Sequence, residues 1–199
     1  MKIYGDNRSG NCYKIKLLTA ILNIDHQWID IDILAGETHT KHFLQKNPNA
    51  KIPLLELDDG RCLSESNAIL SYLSEGSELC PKESFAKAKI LQWLLFEQYS
   101  HEPYIAVARF IAKYLGLPNH RREEYESKQA GGHKALTVME IQLAKTDYLV
   151  GDRLSIADIS LYAYTHVANE GGFDISHYAA IQCWIDRVRQ HPGYVGMGL

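Results

Sequence analysis

All the strand-like patterns in this chain lie within residues 1–75. KIYG, residues 2–5, is short and apolar enough for a buried strand, and residues 12–24 carry apolar side chains at helical spacing. HQWIDIDI, residues 26–33, alternates polar and apolar side chains and predicts a second strand after that helix. A strand that returns after a helix indicates a parallel βαβ unit.

The clearest local signal is IPLLELDDGRCLSES, residues 52–66. Two apolar runs are joined by Asp59-Gly60, a dipeptide that strongly favours a hairpin turn. Ser66 is expected to cap a helix that ends near Gly76. The N-terminal part therefore predicts βαβ followed by ββα, a mixed sheet with helices.

The spacing of apolar residues changes from strand-like to helical at residues 76–84, GSELCPKES. This segment is rich in turn residues. Beyond them only helical patterns occur, over about residues 85–115, 121–145, 156–170 and 178–190. We therefore predict an α/β domain over residues 1–75, a linker over 76–84 and an all-helical domain over 85–199.

One helix start in the second half is marked by a capping box. In YLVGDRLSIADISLY, residues 148–162, Ser155 is the expected N-cap and Asp158 can reach back to its amide. Leu154 and Ile159 occupy the two positions of a hydrophobic staple. We interpret this motif as structural, because a capping box mainly fixes where a helix begins.

Composition narrows the classes of partner. The net charge is -3, and Lys and Arg are spread among the acidic residues, so we expect no nucleic-acid or anionic-membrane footprint. No apolar run approaches the roughly 18 residues that span a bilayer, and we expect a cytoplasmic protein. The nine histidines form no metal-binding pattern with the cysteines, so no metal site is predicted. The cysteines form no CxxC pair and are expected to be free thiols: Cys12, Cys62, Cys80 and Cys183.

Four motifs in this order resemble the cytosolic glutathione transferase superfamily in its bacterial, serine-type form: KIYG…SGNCxK, NPNAKIPLLELDDG, LSESNAILSYL and LVGDRLSIADI. The resemblance covers the whole chain. It implies a thioredoxin-like N-terminal domain that binds glutathione as a co-substrate, and an all-helical C-terminal domain that contributes the second-substrate pocket. It further implies a homodimer that acts on a small electrophilic molecule without a metal.

The resemblance assigns the γ-glutamyl and cysteinyl parts of glutathione to two dipeptides. Ile52-Pro53 matches a dipeptide whose proline is cis in the family, with the Ile52 backbone pairing with the cysteinyl part. Glu65-Ser66 matches the pair that holds the γ-glutamyl end. The chemistry fits, because a hydroxyl and free amides at a helix start suit a carboxylate, while Glu65 can pair with the ammonium.

Lys51 and Thr38 fall where family members place side chains over the glycyl end of glutathione. Lys51 is a suitable carboxylate partner, although a solvated surface lysine is an equally good interpretation. Thr38 lies in a loop that varies within the family.

The same resemblance places Ser9 where serine-type members donate a hydrogen bond to the glutathione sulfur. A thiol of pKa about 8.5 needs about 2 kcal/mol to be half ionised at neutral pH, which one hydrogen bond to a charged acceptor can supply. Asn11 is either the N-cap of the first helix or a second donor to the sulfur. Cys12 shares the apolar stripe of that helix and is expected to be a buried, inert thiol.

In the helical half, His101, Tyr104 and Ala108 fall at i, i+3 and i+7 on one face of the fourth helix. The family resemblance makes them candidates for the wall of the second-substrate pocket, and core packing is the competing interpretation. Arg109 could reach the cleft or a dimer partner.

Two other functions fit the same resemblance. One is a glutathione-dependent disulfide reductase or peroxidase that uses the same site. The other is a non-catalytic interaction protein built on the same fold. Such a protein need not keep Ser9, Ile52-Pro53 and Glu65-Ser66 together, so the presence of all three disfavours this function.

Overall fold

The structure, a computed structural model, describes residues 1–198 and divides into two compact units. The division between Ser77 and Glu78 falls inside the predicted linker. Residues 191–198 group with the first unit, whereas the sequence analysis assigns them to the helical domain. A contact between distant parts of the sequence explains this grouping, because the Tyr13 hydroxyl donates to the Val195 carbonyl at 2.7 Å.

The first unit contains a four-stranded mixed sheet in the order β2-β1-β3-β4. β1 pairs with β2 in parallel, and the β1–β3 and β3–β4 pairs are antiparallel. This is the predicted βαβ–ββα order of a thioredoxin-like domain. The strands are β1 Lys2–Gly5, β2 Gln27–Asp30, β3 Leu54–Glu56 and β4 Cys62–Ser64, and the helices are α1 Gly10–Ile21, α2 Lys41–Lys46 and α3 Ser66–Leu73.

The hairpin predicted at Asp59-Gly60 is confirmed. Glu56 pairs with Cys62, and the Leu57 amide closes the turn by donating to the Arg61 carbonyl at 2.9 Å. Gly60 has a φ of +85°, a conformation that glycine adopts without a steric penalty. The second strand is shorter than predicted and ends at Asp30. Beyond it, the Asp32 carboxylate accepts from the Leu34 and Ala35 amides and turns the chain.

The predicted cap of α3 is wrong by one residue. The helix begins at Ser66 itself, and Glu65 is the N-cap residue. The Ser66 hydroxyl is directed to α1 instead, where it donates to Asn11 Oδ1 at 3.2 Å.

The second unit is helical, as predicted. The segment expected to be one long helix over 85–115 consists of two α-helices with a π-helical stretch after each, Glu97–His101 and Phe110–Tyr114. Pro103, in the first turn of the later helix, has no N–H and cannot continue the α-helical hydrogen bonding. The α-helices are α4 Ser84–Phe96, α5 Glu102–Arg109, α6 Arg122–Leu143, α7 Ile156–Thr165 and α8 Ala179–Arg189.

The predicted capping box starts α7, which is buried along its whole length. The Ser155 amide donates to Asp158 Oδ2 at 2.9 Å, and the Trp184 indole donates to Asp158 Oδ1 at 3.0 Å. Burial raises the pKa of Asp158 against these hydrogen bonds. Within residues 1–198, no helix is both long and apolar enough to cross a bilayer.

Candidate active site

Ser9 stands at the point where the loop after β1 enters α1. Its backbone is extended, with φ -76° and ψ 127°, and its amide donates to the Asp6 carbonyl at 3.0 Å. Its hydroxyl oxygen accepts from the Cys12 amide at 3.4 Å, so Ser9 is the N-cap of α1. Asn11 lies inside the first turn of the helix, which excludes it as the cap.

Cys12 is fully buried behind Ser9, in agreement with its expected packing role. Burial raises the pKa of its thiol to about 12, against hydrogen bonds from the Ser9 side chain and the Asp6 backbone that lower it. A thiol with so high a pKa is protonated at neutral pH and is a poor nucleophile. The cysteine of α1 therefore offers no thiolate of its own.

A buried hydrogen-bond chain joins the beginnings of α1 and α3. Lys14 Nζ donates to Ser66 Oγ at 3.2 Å, and the Ser66 hydroxyl donates to Asn11 Oδ1 at 3.2 Å. The structure thus brings together Asn11 and Ser66, two residues predicted for opposite parts of glutathione. Lys14 was not predicted. Its i, i+3 spacing from Asn11 indicates that both side chains lie on one face of α1, but it does not indicate that Lys14 is buried.

Glu65 and Ser66 differ in exposure and backbone geometry. Glu65 is exposed and has a φ of +69° and a ψ of 113°, which side chains with a Cβ seldom adopt. Ser66 is buried and begins α3, whose first-turn amides have no partners within the helix. An anion at this position is favoured by those amides and by the helix dipole.

The loop before β3 carries the cis bond that the family resemblance implies, between Ile52 and Pro53. Pro53 is buried, and Ile52 packs against the cluster of Tyr4, Phe43 and Leu54. Lys51 is exposed, and its carbonyl accepts from Asn47 Nδ2 at 2.7 Å, which holds this loop in place.

Thr38 is buried in a 3-10 turn, Glu37–His39. It lies on a different loop of the first unit from Lys51. For both residues, a role at the glycyl end of glutathione stays a prediction.

In the helical unit, the three second-substrate candidates pack against neighbouring helices. His101 and Ala108 are fully buried, and His101 Nε2 lies 2.9 Å from Thr165 Oγ1 of α7. Tyr104 is half-buried and covers Gly131 of α6. Arg109 forms a 2.7 Å ion pair with Glu170 inside the same unit. The wall predicted for the second substrate stays a prediction.

The start of α3 favours a bound anion. The Ser66 hydroxyl, the helix amides and the buried Lys14 of α1 all favour a negatively charged, oxygen-rich group such as a carboxylate. Among the residues that the structure describes, no cluster of His, Cys, Asp and Glu could hold a metal ion.

Two family models match the chain over most of its length. The model for the glutathione S-transferase N-terminal domain matches residues 1–75, and that for the C-terminal domain matches residues 88–192. The chain belongs to the glutathione S-transferase family. The N-terminal model falls within the first unit, and the C-terminal model covers most of the helical unit.

Solved structures agree with this assignment. A glutathione S-transferase from Pseudomonas fluorescens is 61% identical with a TM-score of 0.98, over 100% of this chain and 98% of that one. A maleylacetoacetate isomerase from Methylobacterium extorquens, with bound malonate and GSH, is 26% identical with a TM-score of 0.82, over 97% and 94% of the two chains.

Two other relatives are named for different roles. The disulfide-bond oxidoreductase YfcG of Escherichia coli is 29% identical over 189 residues, 92% of this chain and 87% of that protein. Elongation factor 1-gamma of Sus scrofa is 33% identical over 127 residues, which are 63% of this chain and 29% of the factor. The chain thus matches less than a third of the elongation factors to which it is similar.

Proposed function

We propose that this chain is a glutathione transferase that ionises bound glutathione through the Ser9 hydroxyl. The thiol proton is released to solvent, and the resulting thiolate attacks an electrophilic carbon of a small molecule, so that the sulfur–carbon bond forms as a leaving group such as halide departs with its electron pair. The observation that carries the proposal is the position of Ser9 at the start of α1, beside the Asn11–Ser66 contact. The cytoplasmic location expected from the sequence stays a prediction.

The geometry of Ser9 suits a donor. Its oxygen accepts the Cys12 amide, and its single proton, which can donate to the Cys12 sulfur, would turn to the glutathione sulfur when the peptide is bound. Such a bond to a charged acceptor contributes about 1.5–3 kcal/mol. This covers the roughly 2 kcal/mol that brings a thiol of pKa 8.5 to half ionisation at neutral pH.

The rest of the first unit would hold the peptide. Ser66 and Glu65 take the carboxylate and the ammonium of the γ-glutamyl end. The Ile52 backbone pairs with the cysteinyl part, and Lys51 and Thr38 cover the glycyl end. Of the second-substrate candidates in the helical unit, Tyr104 is the one that keeps exposed surface and can contact a small molecule.

A second candidate function is glutathione-dependent reduction of a disulfide or peroxide at the same site. Asn11 lies in the first turn of α1, two residues after Ser9, and its side-chain amide nitrogen is a second group that can donate to sulfur. Similarity to the disulfide-bond oxidoreductase YfcG supports the same chemistry.

The experiment that tests the proposal assays the purified protein with glutathione and an aryl halide, a hydroperoxide or a mixed disulfide in parallel. We expect conjugation of the aryl halide to be the fastest reaction. Preference for the disulfide or the peroxide, with loss of activity in Asn11→Ala, would select the second candidate function. Failure to bind immobilised glutathione would point to a non-catalytic protein.

Three substitutions separate the donor role of Ser9 from its capping role. Ser9→Ala removes both, Ser9→Asp keeps a strong cap but presents an acceptor to the sulfur, and Ser9→Thr keeps both. We expect kcat/KM for conjugation to fall about tenfold to a hundredfold in S9A and S9D, and to be retained largely in S9T. If S9D conjugates as fast as the natural protein, Ser9 is not the donor.

A further inference from the structure

Lys14 is completely buried, yet its ammonium ends at the candidate glutathione site. It lies in the second turn of α1 and its side chain has no exposed surface. Burying a lysine is costly unless its charge is met by hydrogen bonds or by an opposite charge. Its Nζ donates to Ser66 Oγ, at the start of α3, at 3.2 Å. A buried ammonium is therefore held directly behind the hydroxyl that is proposed to bind the γ-glutamyl end.

The contact with Lys14 decides which way the Ser66 hydroxyl points. A serine hydroxyl has one proton and two lone pairs. Because the ammonium occupies a lone pair, the proton is directed away from Lys14, and the structure has it donated to Asn11 Oδ1. Hydrogen bonds in such a chain polarise one another, so a cation on the oxygen makes the hydroxyl a stronger donor.

We propose that Lys14 is a positioning residue that makes Ser66 selective for a carboxylate. This inference rests on the proposed function, and it concerns the α-carboxylate of the γ-glutamyl end. Lys14 acts through Ser66, fixing its hydroxyl as a donor and supplying a positive charge behind it. A bound carboxylate takes the single Ser66 proton in place of Asn11 Oδ1.

The chemistry predicts selectivity by charge rather than by shape. A carboxylate is stabilised by the ammonium field and by a polarised hydroxyl, whereas a neutral carboxamide of nearly equal size gains little from either. An analogue of glutathione whose γ-glutamyl α-carboxylate is a carboxamide should therefore bind more weakly. The part of that difference that depends on Lys14 measures its role.

The test measures calorimetric dissociation constants for glutathione and for this carboxamide analogue. We expect the natural protein to prefer glutathione by about tenfold to a hundredfold. Lys14→Met should weaken glutathione binding by about tenfold or more and leave analogue binding nearly unchanged, so the preference collapses. Lys14→Arg keeps the charge and should retain most of the preference. In steady-state assays, K14M should raise KM for glutathione more than it lowers kcat.

Lys16→Met is the matched control, since Lys16 is on the same helix and donates to Asn7 Oδ1 at 2.9 Å. It should keep the full preference for glutathione. Thermal melting checks that each variant folds. If K14M does not fold, Lys14→Gln replaces it, because glutamine is neutral but keeps an N–H donor. A purely structural Lys14 would weaken both ligands equally.

The outcomes separate this inference from the proposed function. If the natural protein binds glutathione and K14M or K14Q keeps the preference for the carboxylate, Lys14 has no such role and the proposed function stands. Loss of the preference in K14R would likewise contradict a role for the charge. If the natural protein binds no glutathione, the proposed function is wrong and the role of Lys14 is wrong with it.

Discussion

Lys46 Nζ and Glu56 Oε2 lie 2.6 Å apart at the end of β3, an inner strand of the first-unit sheet. The Tyr4 hydroxyl donates to the same carboxylate oxygen at 2.6 Å, and Lys46 also lies over the Tyr4 ring. The hydrogen bond from Lys46, and then that from Tyr4, hold the pKa of Glu56 below its ordinary value of 4.5. This carboxylate ties α2 and β1 to β3, so its charge state affects the stability of the glutathione-binding domain.

We predict that Glu56 contributes to the stability of the protein above about pH 4.5 and loses that contribution in acid. Because its pKa is lowered on folding, the unfolded chain binds the proton more tightly, and protonation favours unfolding as the pH falls through the folded pKa. Glu56→Gln should lower the free energy of unfolding by about 1–2 kcal/mol between pH 5 and 7. The difference from the natural protein should shrink below pH 4.5. Urea unfolding at each pH measures it.

Asp59→Asn is the control, because Asp59 is also paired with a cation, Arg61, at 2.7 Å in the same hairpin, but is half exposed. Exposed pairs are screened and contribute little, so this variant should differ less from the natural protein at every pH. A constant difference for E56Q from pH 3 to 7 would contradict the assigned role.

We predict that Glu65 stores backbone strain at the glutathione site. Its φ of +69° is unfavourable for a residue with a Cβ, and such conformations cost about 1–3 kcal/mol. Glu65→Gly should relieve that strain, with about 0.4–1 kcal/mol lost again to the flexibility of glycine in the unfolded chain. The variant should therefore be more stable by up to about 2 kcal/mol and bind glutathione more weakly.

Glu65→Ala isolates the backbone effect, since it removes the same carboxylate but keeps the Cβ. Both variants should lose glutathione affinity, and E65G should melt at the higher temperature. Equal stability of E65A and E65G would show that the backbone at this position is not strained.

The sequence predicted the elements whose signals are local. The Asp59-Gly60 turn and the Ser155–Asp158 capping box depend on a few adjacent residues, and both are present as expected. The structure divides into its two units between Ser77 and Glu78, within residues 76–84, and the predicted domain bounds stay a prediction. The C-terminal residues could not be placed, because their assignment depends on a contact between Tyr13 and Val195 that is distant in sequence.

The candidate site could likewise be predicted only in part, because some of its contacts join residues distant in sequence. Sequence could propose Ser9, Asn11 and Ser66 from the motifs that contain them, but not that Ser66 begins α3 and donates to Asn11. That contact joins residues 55 positions apart. Lys14 was missed because a lysine in an amphipathic helix is normally solvated, and only the packed structure shows that it is buried.

An apolar stripe on α4 and the π-helical turn after it supports the proposed homodimer. Leu91, Leu95 and Tyr99, spaced four residues apart, are 55%, 60% and 85% exposed. Apolar side chains aligned on one exposed face of a helix are typical of a surface that another molecule covers. We propose that this molecule is a second copy of the chain, as the family resemblance implies.

We therefore predict that Leu95→Glu weakens the dimer. Burying a leucine stabilises an interface by about 1.5–3 kcal/mol, and a buried carboxylate adds a further cost, so the dimer dissociation constant should rise at least about tenfold. Sedimentation velocity over a dilution series measures it. Ile141→Glu is the control, because Ile141 is 55% exposed, like the leucines of the stripe, but lies on a different helix, α6. A natural protein that sediments as a monomer, or an L95E variant that dimerises as tightly as I141E, would contradict this interface.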